Sequence, residues 1–222
     1  MRTIIATVLV GMVAGCGGSN LSLSVRAGAP ATTAAQAPTT AQALTAGTGI
    51  NLSRVRVLIR KVEMEKAGTA EMDEVASGPY LLDLSGATLD GSVGKVLDAS
   101  FTPGTYSEIE FEVHKPQSGE TAANADIKDM ADAQSSIIVD GTIDGAAFTF
   151  KSAVTAEQKF EGNLVLAAGS NLTLNVDAGS WFTSSGARLD PRDEANRSQI
   201  ENNIQKSFKA FKDDDHDGHE DQ

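Results

Sequence analysis

The chain has 222 residues and carries 18 Lys and Arg against 30 Asp and Glu, a net charge of −12 at pH 7. So acidic a surface, with no basic stripe to offset phosphate, excludes nucleic-acid binding and attachment to anionic lipid through charge alone. One cysteine cannot form an internal disulfide, so stability has to come from a packed core of one domain's size.

That cysteine, Cys16, closes the sequence Val13-Ala14-Gly15-Cys16. Before it stand Arg2 and an apolar run from Ile4 to Val13, roughly ten residues, too short to span a bilayer but suited to the core of a signal peptide. Residues 1–15 with Cys16 resemble the signal and lipobox of bacterial lipoproteins. The resemblance implies that Cys16 Sγ receives a diacylglycerol, that the chain is cut before it, and that the new N-terminus is acylated. An ordinary secretory signal with a chance cysteine is the plainer alternative. In the lipoprotein reading the acyl chains anchor the protein, each buried methylene contributing about 0.8 kcal/mol. Gly17 follows Cys16, with no aspartate at that position. By resemblance to Gram-negative lipoproteins, this favours the outer membrane over the inner one.

Residues 16–49 read as the lipidated cysteine and a disordered tether. From Ala27 to Gly49 the composition is almost wholly Ala, Thr, Gln, Gly and Pro, with Leu44 the one large apolar residue. Such a segment buries too little apolar area to offset its ordering entropy. As a coil of about 33 residues it spans on the order of 30 Å, enough to hold a domain off the membrane. Its Thr and Pro content also admits a glycosylated stalk.

From Ile50 the pattern changes to short apolar alternations separated by turns, and residues 50–185 read as one β domain. Val55, Val57 and Ile59 alternate with Arg54, Arg56 and Leu58, and Val62 and Met64 continue after a one-residue shift of phase, which predicts a β-bulge. Tyr80 to Leu84 is a short apolar run after Gly78-Pro79. Ile109, Phe111 and Val113 alternate with Glu108, Glu110, Glu112 and His114, a strand with one wet face. The polar stretch from Gln117 to Gln134 predicts a long loop with a helical turn around Ile127 to Met130. Ile137 to Ile143 and Ala147 to Ala153 flank Asp144-Gly145, a strong hairpin signal. Phe160 to Leu166 and Leu172 to Val176 flank Ala168-Gly169-Ser170 and predict a second hairpin. Regularly spaced short strands with these turns predict a mainly β fold, an antiparallel β-sandwich.

One C-terminal amphipathic α-helix is predicted over residues 190–212. Asp190 caps it, Pro191 takes the first helical position, and Asp193 adds negative charge to the first turn. Ile200, Ile204, Phe208 and Phe211 then draw one apolar stripe. An acidic tail, residues 213–222, completes the chain.

The strand Arg54 to Val62, the run Leu81-Leu82-Asp83-Leu84 and the turn Pro103-Gly104-Thr105-Tyr106 resemble those of uncharacterised bacterial lipoproteins carrying a transthyretin-like sandwich domain. The resemblance covers residues 55–113, roughly a quarter of the chain. It implies a transthyretin- or immunoglobulin-like sandwich and an envelope location, and it brings no chemistry or functional residues. The turn also has a mechanical reason: Pro103 and Gly104 make it, and Tyr106 enters the strand with its ring over the end of the core.

The sharpest chemical signal is the tail. Asp213, Asp215, Asp217, Gly218 and Asp221 fall at positions one, three, five, six and nine of a calcium-loop pattern. Alternate carboxylates point to the inside of a tight turn and the glycine permits it. The chain ends before position twelve, so the bidentate glutamate is missing. Weak calcium binding, in about the millimolar range of extracellular modules, stands against a solvated acidic end. His216 and His219 offer zinc or nickel a poorly organised alternative. Trp181-Phe182 reads as a ring pair packed between sandwich and helix, with sugar stacking the competing reading. His114 reads as part of a solvated polar face. No Gly-x-Ser-x-Gly, His-Glu-x-x-His or phosphate-binding glycine loop is present.

The expectation is a non-catalytic binding or structural module, lipid-anchored to the envelope, with no cofactor or with calcium at Asp213, Asp215, Asp217 and Asp221. Its expected partners are the membrane, through the anchor, and an envelope protein or glycan. Calcium-assisted adhesion or glycan binding is the second reading, and a carboxylate-dependent hydrolase the third.

Overall fold

The computed structural model describes residues 19–28, 44–69, 71–116 and 125–221. In chain order the elements are β1 (Ser19–Ala27), β2 (Leu44–Thr45), β3 (Ile50–Lys66), β4 (Met72–Ser85), β5 (Gly94–Phe101), β6 (Gly104–Val113), α1 (Ala125–Asp132), β7 (Ile137–Ile143) and β8 (Ala146–Ser152). They continue with β9 (Ala156–Leu166), β10 (Asn171–Val176), β11 (Thr183–Ser184), β12 (Ala187–Arg188), α2 (Arg197–Gln205) and β13 (Phe208–Lys212). The fold is mainly β, as its alternations predict.

β3 organises the larger sheet, whose order is β8-β7-β3-β6-β9, with β2 and β4 also on β3. β4 pairs along residues 54–65 of β3, and the opposite edge is shared by β7 along 50–57 and β6 along 59–66. One strand serves two neighbours in succession because its register shifts between Ile59 and Lys61, where the sequence changes phase. At that fork, backbone hydrogen bonds run from Leu58 N to Ser136 O and from His114 N to Leu58 O. The predicted hairpin at Asp144-Gly145 is present, with both residues at positive φ (50° and 83°) between β7 and β8. Tyr106 is buried at the start of β6, and its hydroxyl donates to Thr102 O, the arrangement of a tyrosine corner.

The second sheet has four strands, β13-β10-β1-β5, antiparallel except for the parallel pair β1–β10. Leu21, Leu23 and Val25 of β1 and Leu172, Leu174 and Val176 of β10 join Val55, Val57, Ile59, Ile109, Phe111 and Val139 in one buried cluster. That shared core makes the two sheets a sandwich. α1 lies on the outside of the larger sheet. Ile127 and Met130 there meet Leu58 and Ile138, while Arg54 and Arg56 bind Asp126, and Arg56 binds Asp129 at 2.8 Å.

Four expectations need correction. The segment read as tether contains β1, an inner strand whose apolar side chains alternate into the core, so the sandwich does not begin at residue 50. The strands flanking Ala168-Gly169-Ser170 do not form a hairpin. β9 belongs to the larger sheet and β10 to the smaller, so the turn carries the chain across the sandwich. The helix is shorter than 190–212: Asp193 caps the turn by accepting from Ala195 N, α2 ends at Gln205, and Phe208 and Phe211 lie in β13. The stripe breaks there: in the strand Phe208 stands beside Val176 on the core face and Phe211 beside Thr173 on the opposite face, and the open edge of β10 offers pairing that a continued helix would forgo. Finally, residues 213–221 are folded against the smaller sheet.

Candidate metal loop on the smaller sheet

Along β10 every second residue is apolar and faces the core, which leaves Asn171, Thr173 and Asn175 on the opposite face. Ser24 and Arg26 of β1 stand beside them in register. Ser24, Arg26, Asn171 and Thr173 are nonetheless buried, because the chain after β13 turns back over them.

A connected network fixes that return. Ser24 Oγ donates to Asn171 Oδ1 (2.8 Å), and Asn171 Nδ2 donates to Thr173 Oγ1 (3.0 Å) and to Asp213 O (2.8 Å). Thr173 Oγ1 donates to Asp213 Oδ2 at 2.6 Å, and Gly218 N donates to Asp213 Oδ1 at 3.3 Å. Asp213 is fully buried as a result. Asp217 N donates to Asp215 Oδ1 (3.2 Å) and His219 N to Asp217 Oδ1 (2.7 Å), so each acidic side chain tightens the turn that follows it. Gly218 has φ +82°, and a Cβ there would stand 2.7 Å from Arg26 Nη1. A side chain there would meet both the left-handed backbone and the Arg26 guanidinium.

The turn brings carboxylate oxygens of Asp213, Asp215 and Asp217 within 4.8 Å of one another. Asp221 does not join them. Its Oδ2 accepts from Asp214 N at 2.6 Å and lies 3.8 Å from Lys212 Nζ, so it closes the loop onto the end of β13. The predicted set of four is thus a set of three, because the backbone of Asp214 competes for the fourth carboxylate. Neither His216 nor His219 belongs to the group.

Burial pushes the Asp213 carboxyl above the usual carboxylate range; the bonds from Thr173 and Gly218 oppose this, and Asp217 and Asp215 add to it. The cation on the sheet side of the loop is Arg26, 7% exposed, whose guanidinium donates to Gly218 O. Burial lowers its proton affinity, while Asp213 and Asp217 raise it. Three hard oxygen donors on a tight turn suit calcium, which takes 6–8 oxygen ligands, better than a soft-ligand metal. Sequence reasoning did not find Arg26, Asn171 or Thr173, although the alternations Ser22 to Ala27 and Asn171 to Val176 carried the signal.

Trp181 and Phe182 are both fully buried, with Phe182 edge-on to Phe148 and Phe150 at 5.9 and 5.8 Å. They are core, and the sugar-stacking alternative is removed. His114 sits one residue beyond β6 with its ring against Lys115 O. Cys16 and the signal segment lie outside the described residues, and among those residues no helix is long and apolar enough to cross a membrane.

Fold and loop together define a β-sandwich protein carrying a carboxylate turn. No protein-family model and no curated protein matches the chain. Among solved structures it is similar to MbnP from Methylosinus trichosporium at 10% identity, over 87% of this chain and 98% of that one, with a TM-score of 0.46.

Proposed function

We propose that the protein is a non-catalytic binding module of the bacterial envelope, lipid-anchored at Cys16, whose C-terminal loop takes a calcium ion. The observation that carries the calcium reading is the gathering of Asp213, Asp215 and Asp217 around a buried carboxylate. The anchor rests on Val13-Ala14-Gly15-Cys16 and the apolar run before it. The transthyretin-like resemblance of residues 55–113 belongs to the same reading.

In this role Asp213 is the fixed inner ligand, held by Thr173 and Gly218 N, and Asp215 and Asp217 close over the ion from the solvent side. Binding ties the loop to β10 and β13 and so stabilises the folded state. The test is a thermal melt of the chain from Gly17 onward, in millimolar calcium and in chelator. Calcium is expected to raise the melting temperature by a few degrees, on the order of 1 kcal/mol for ligand at several times Kd. Asp215→Asn with Asp217→Asn is expected to abolish the rise. An equal melting temperature in calcium and chelator would sink the calcium reading.

A further inference from the structure

At the far end of the smaller sheet, where β10 runs out beside the end of α2, an open cleft of about 400 Å³ lies between Asn175, Asp177, Ser184, Asn203, Lys206 and Lys209. This is at the lower end of the range of small-molecule sites, about 300–1,000 Å³. Its wall is already built. Asn203 Nδ2 donates to Trp181 O (3.0 Å) and Thr183 O (2.8 Å), and Ser180 Oγ and Ser207 Oγ donate to Asp177 O and Ile204 O.

Three charged groups in the cleft are left without side-chain partners among the described residues. Lys206 and Lys209 make no ion pair, in a chain with 30 acidic residues. The Asp177 carboxylate makes none either, and it accepts no hydrogen bond. Asn175, which stands across from Lys209, is 1% exposed and its Nδ2 donates to Gly28 O. The complement to two ammonium groups and one carboxylate is a small molecule with two anionic groups and one donor-bearing cation. No aromatic ring lines the cleft, and the Asn203 amide protons are already committed, so the two usual means of gripping a sugar are missing.

We propose that this cleft binds a dicarboxylic α-amino acid, with carboxylates against Lys206 and Lys209 and the ammonium group against Asp177. The site deepens the reading of the chain as a binding module, but it shares no lining residue with the calcium loop. Failure of one therefore leaves the other intact.

Isothermal titration of the full mature chain in chelator tests it with three probes: L-glutamate, glutarate and glucuronate. L-Glutamate is expected to give saturable heat below about 10 mM. Glutarate, which keeps both carboxylates but lacks the ammonium group, is expected to bind about fivefold more weakly or worse. Lys206→Ala with Lys209→Ala is expected to weaken glutamate about tenfold. Asp177→Asn is expected to remove the preference for glutamate over glutarate. Both lysines are exposed and unpaired, so the double variant is expected to melt like the parent, which separates lost binding from lost fold. No heat with glutamate, undiminished heat in the lysine variant, or tighter binding of glucuronate than of glutamate would each overturn the assignment.

Discussion

Asp213 and Arg26 are the two residues on which the C-terminal loop turns. The carboxyl of Asp213 titrates above the ordinary value of about 3.9, so ionising it costs folding free energy. That cost is absent below the unfolded-state value and complete once pH has risen through the higher folded-state value. Arg26 faces the carboxyl from the sheet side, where Asp213 raises the proton affinity of the guanidinium, and a bound cation would offset the cost from the solvent side. Arg26→Met keeps most of the side-chain volume but deletes the charge and the bond to Gly218 O. At pH 7 in chelator the variant is expected to lose about 2–3 kcal/mol, the usual cost of removing one partner of a buried charged hydrogen bond. The loss should shrink as pH falls through the Asp213 transition, because a protonated carboxyl needs no counter-charge. Millimolar calcium should restore part of it at pH 7. Denaturant melts of parent and variant at pH 7 and about pH 4, with and without calcium, check all three. A loss that is equal at both pH values and indifferent to calcium would mean that Arg26 acts through packing alone.

Among the elements, β1 separates what the sequence disclosed from what it concealed. The β3 bulge, the Asp144-Gly145 turn and the Tyr106 corner were legible because each is local: a phase shift, a dipeptide, a ring placed just after a turn. β1 carries an equally clear alternation, Leu21, Leu23, Val25 and Ala27, but it lies between Cys16 and a low-complexity stretch, and composition over the wider window outweighs it. β13 and the β9–β10 crossover were illegible for another reason: both depend on which strand has a free edge, which no local pattern encodes. Likewise the loop's aspartates were readable by spacing, whereas Arg26 and Thr173 become part of the site only through the register of β1 and β10. A chain beginning at Ile50 would lose the strand between β10 and β5 and the four apolar side chains it buries. At about 1.5–3 kcal/mol for each of the larger ones, that loss is comparable to the whole stability of a typical domain, about 5–15 kcal/mol. Such a truncation is expected to show no cooperative melt by circular dichroism, while a chain beginning at Gly17 melts sharply. A sharp transition in the truncated chain would show that the core closes without β1.

At the scale of the molecule, β1 turns the proposed anchor into an orientation. Ser19 is three residues past Cys16, a reach of at most about 11 Å, far shorter than a 30 Å tether. Ser19 pairs with Phe101, and Gly169 N donates to Asn20 O, so the 102–103 and 167–169 turns share the end of the sandwich nearest Cys16. On β9 just before the second turn stands Val165, 60% exposed, the one large exposed hydrophobic among the described residues. The cleft lies at the opposite end of β1, which as a nine-residue strand runs roughly 30 Å. A lipidated Cys16 therefore sets Val165 toward the bilayer and the cleft toward solvent. Because acylation at Cys16 would consume the sole native thiol, Val165→Cys and Ala187→Cys would each supply one free cysteine for a nitroxide label. In vesicles of neutral phosphatidylcholine, the label at 165 is expected to relax preferentially with membrane-dissolved oxygen. The label at 187, on the exposed β12 beside the cleft, should relax with a water-soluble nickel chelate instead. Replacing Cys16 by Ser should abolish the difference by releasing the chain from the vesicle. Equal access of the nickel chelate to both labels in the lipidated protein would mean that the sandwich stands clear of the membrane, and that the geometry of β1 does not set how the cleft is presented.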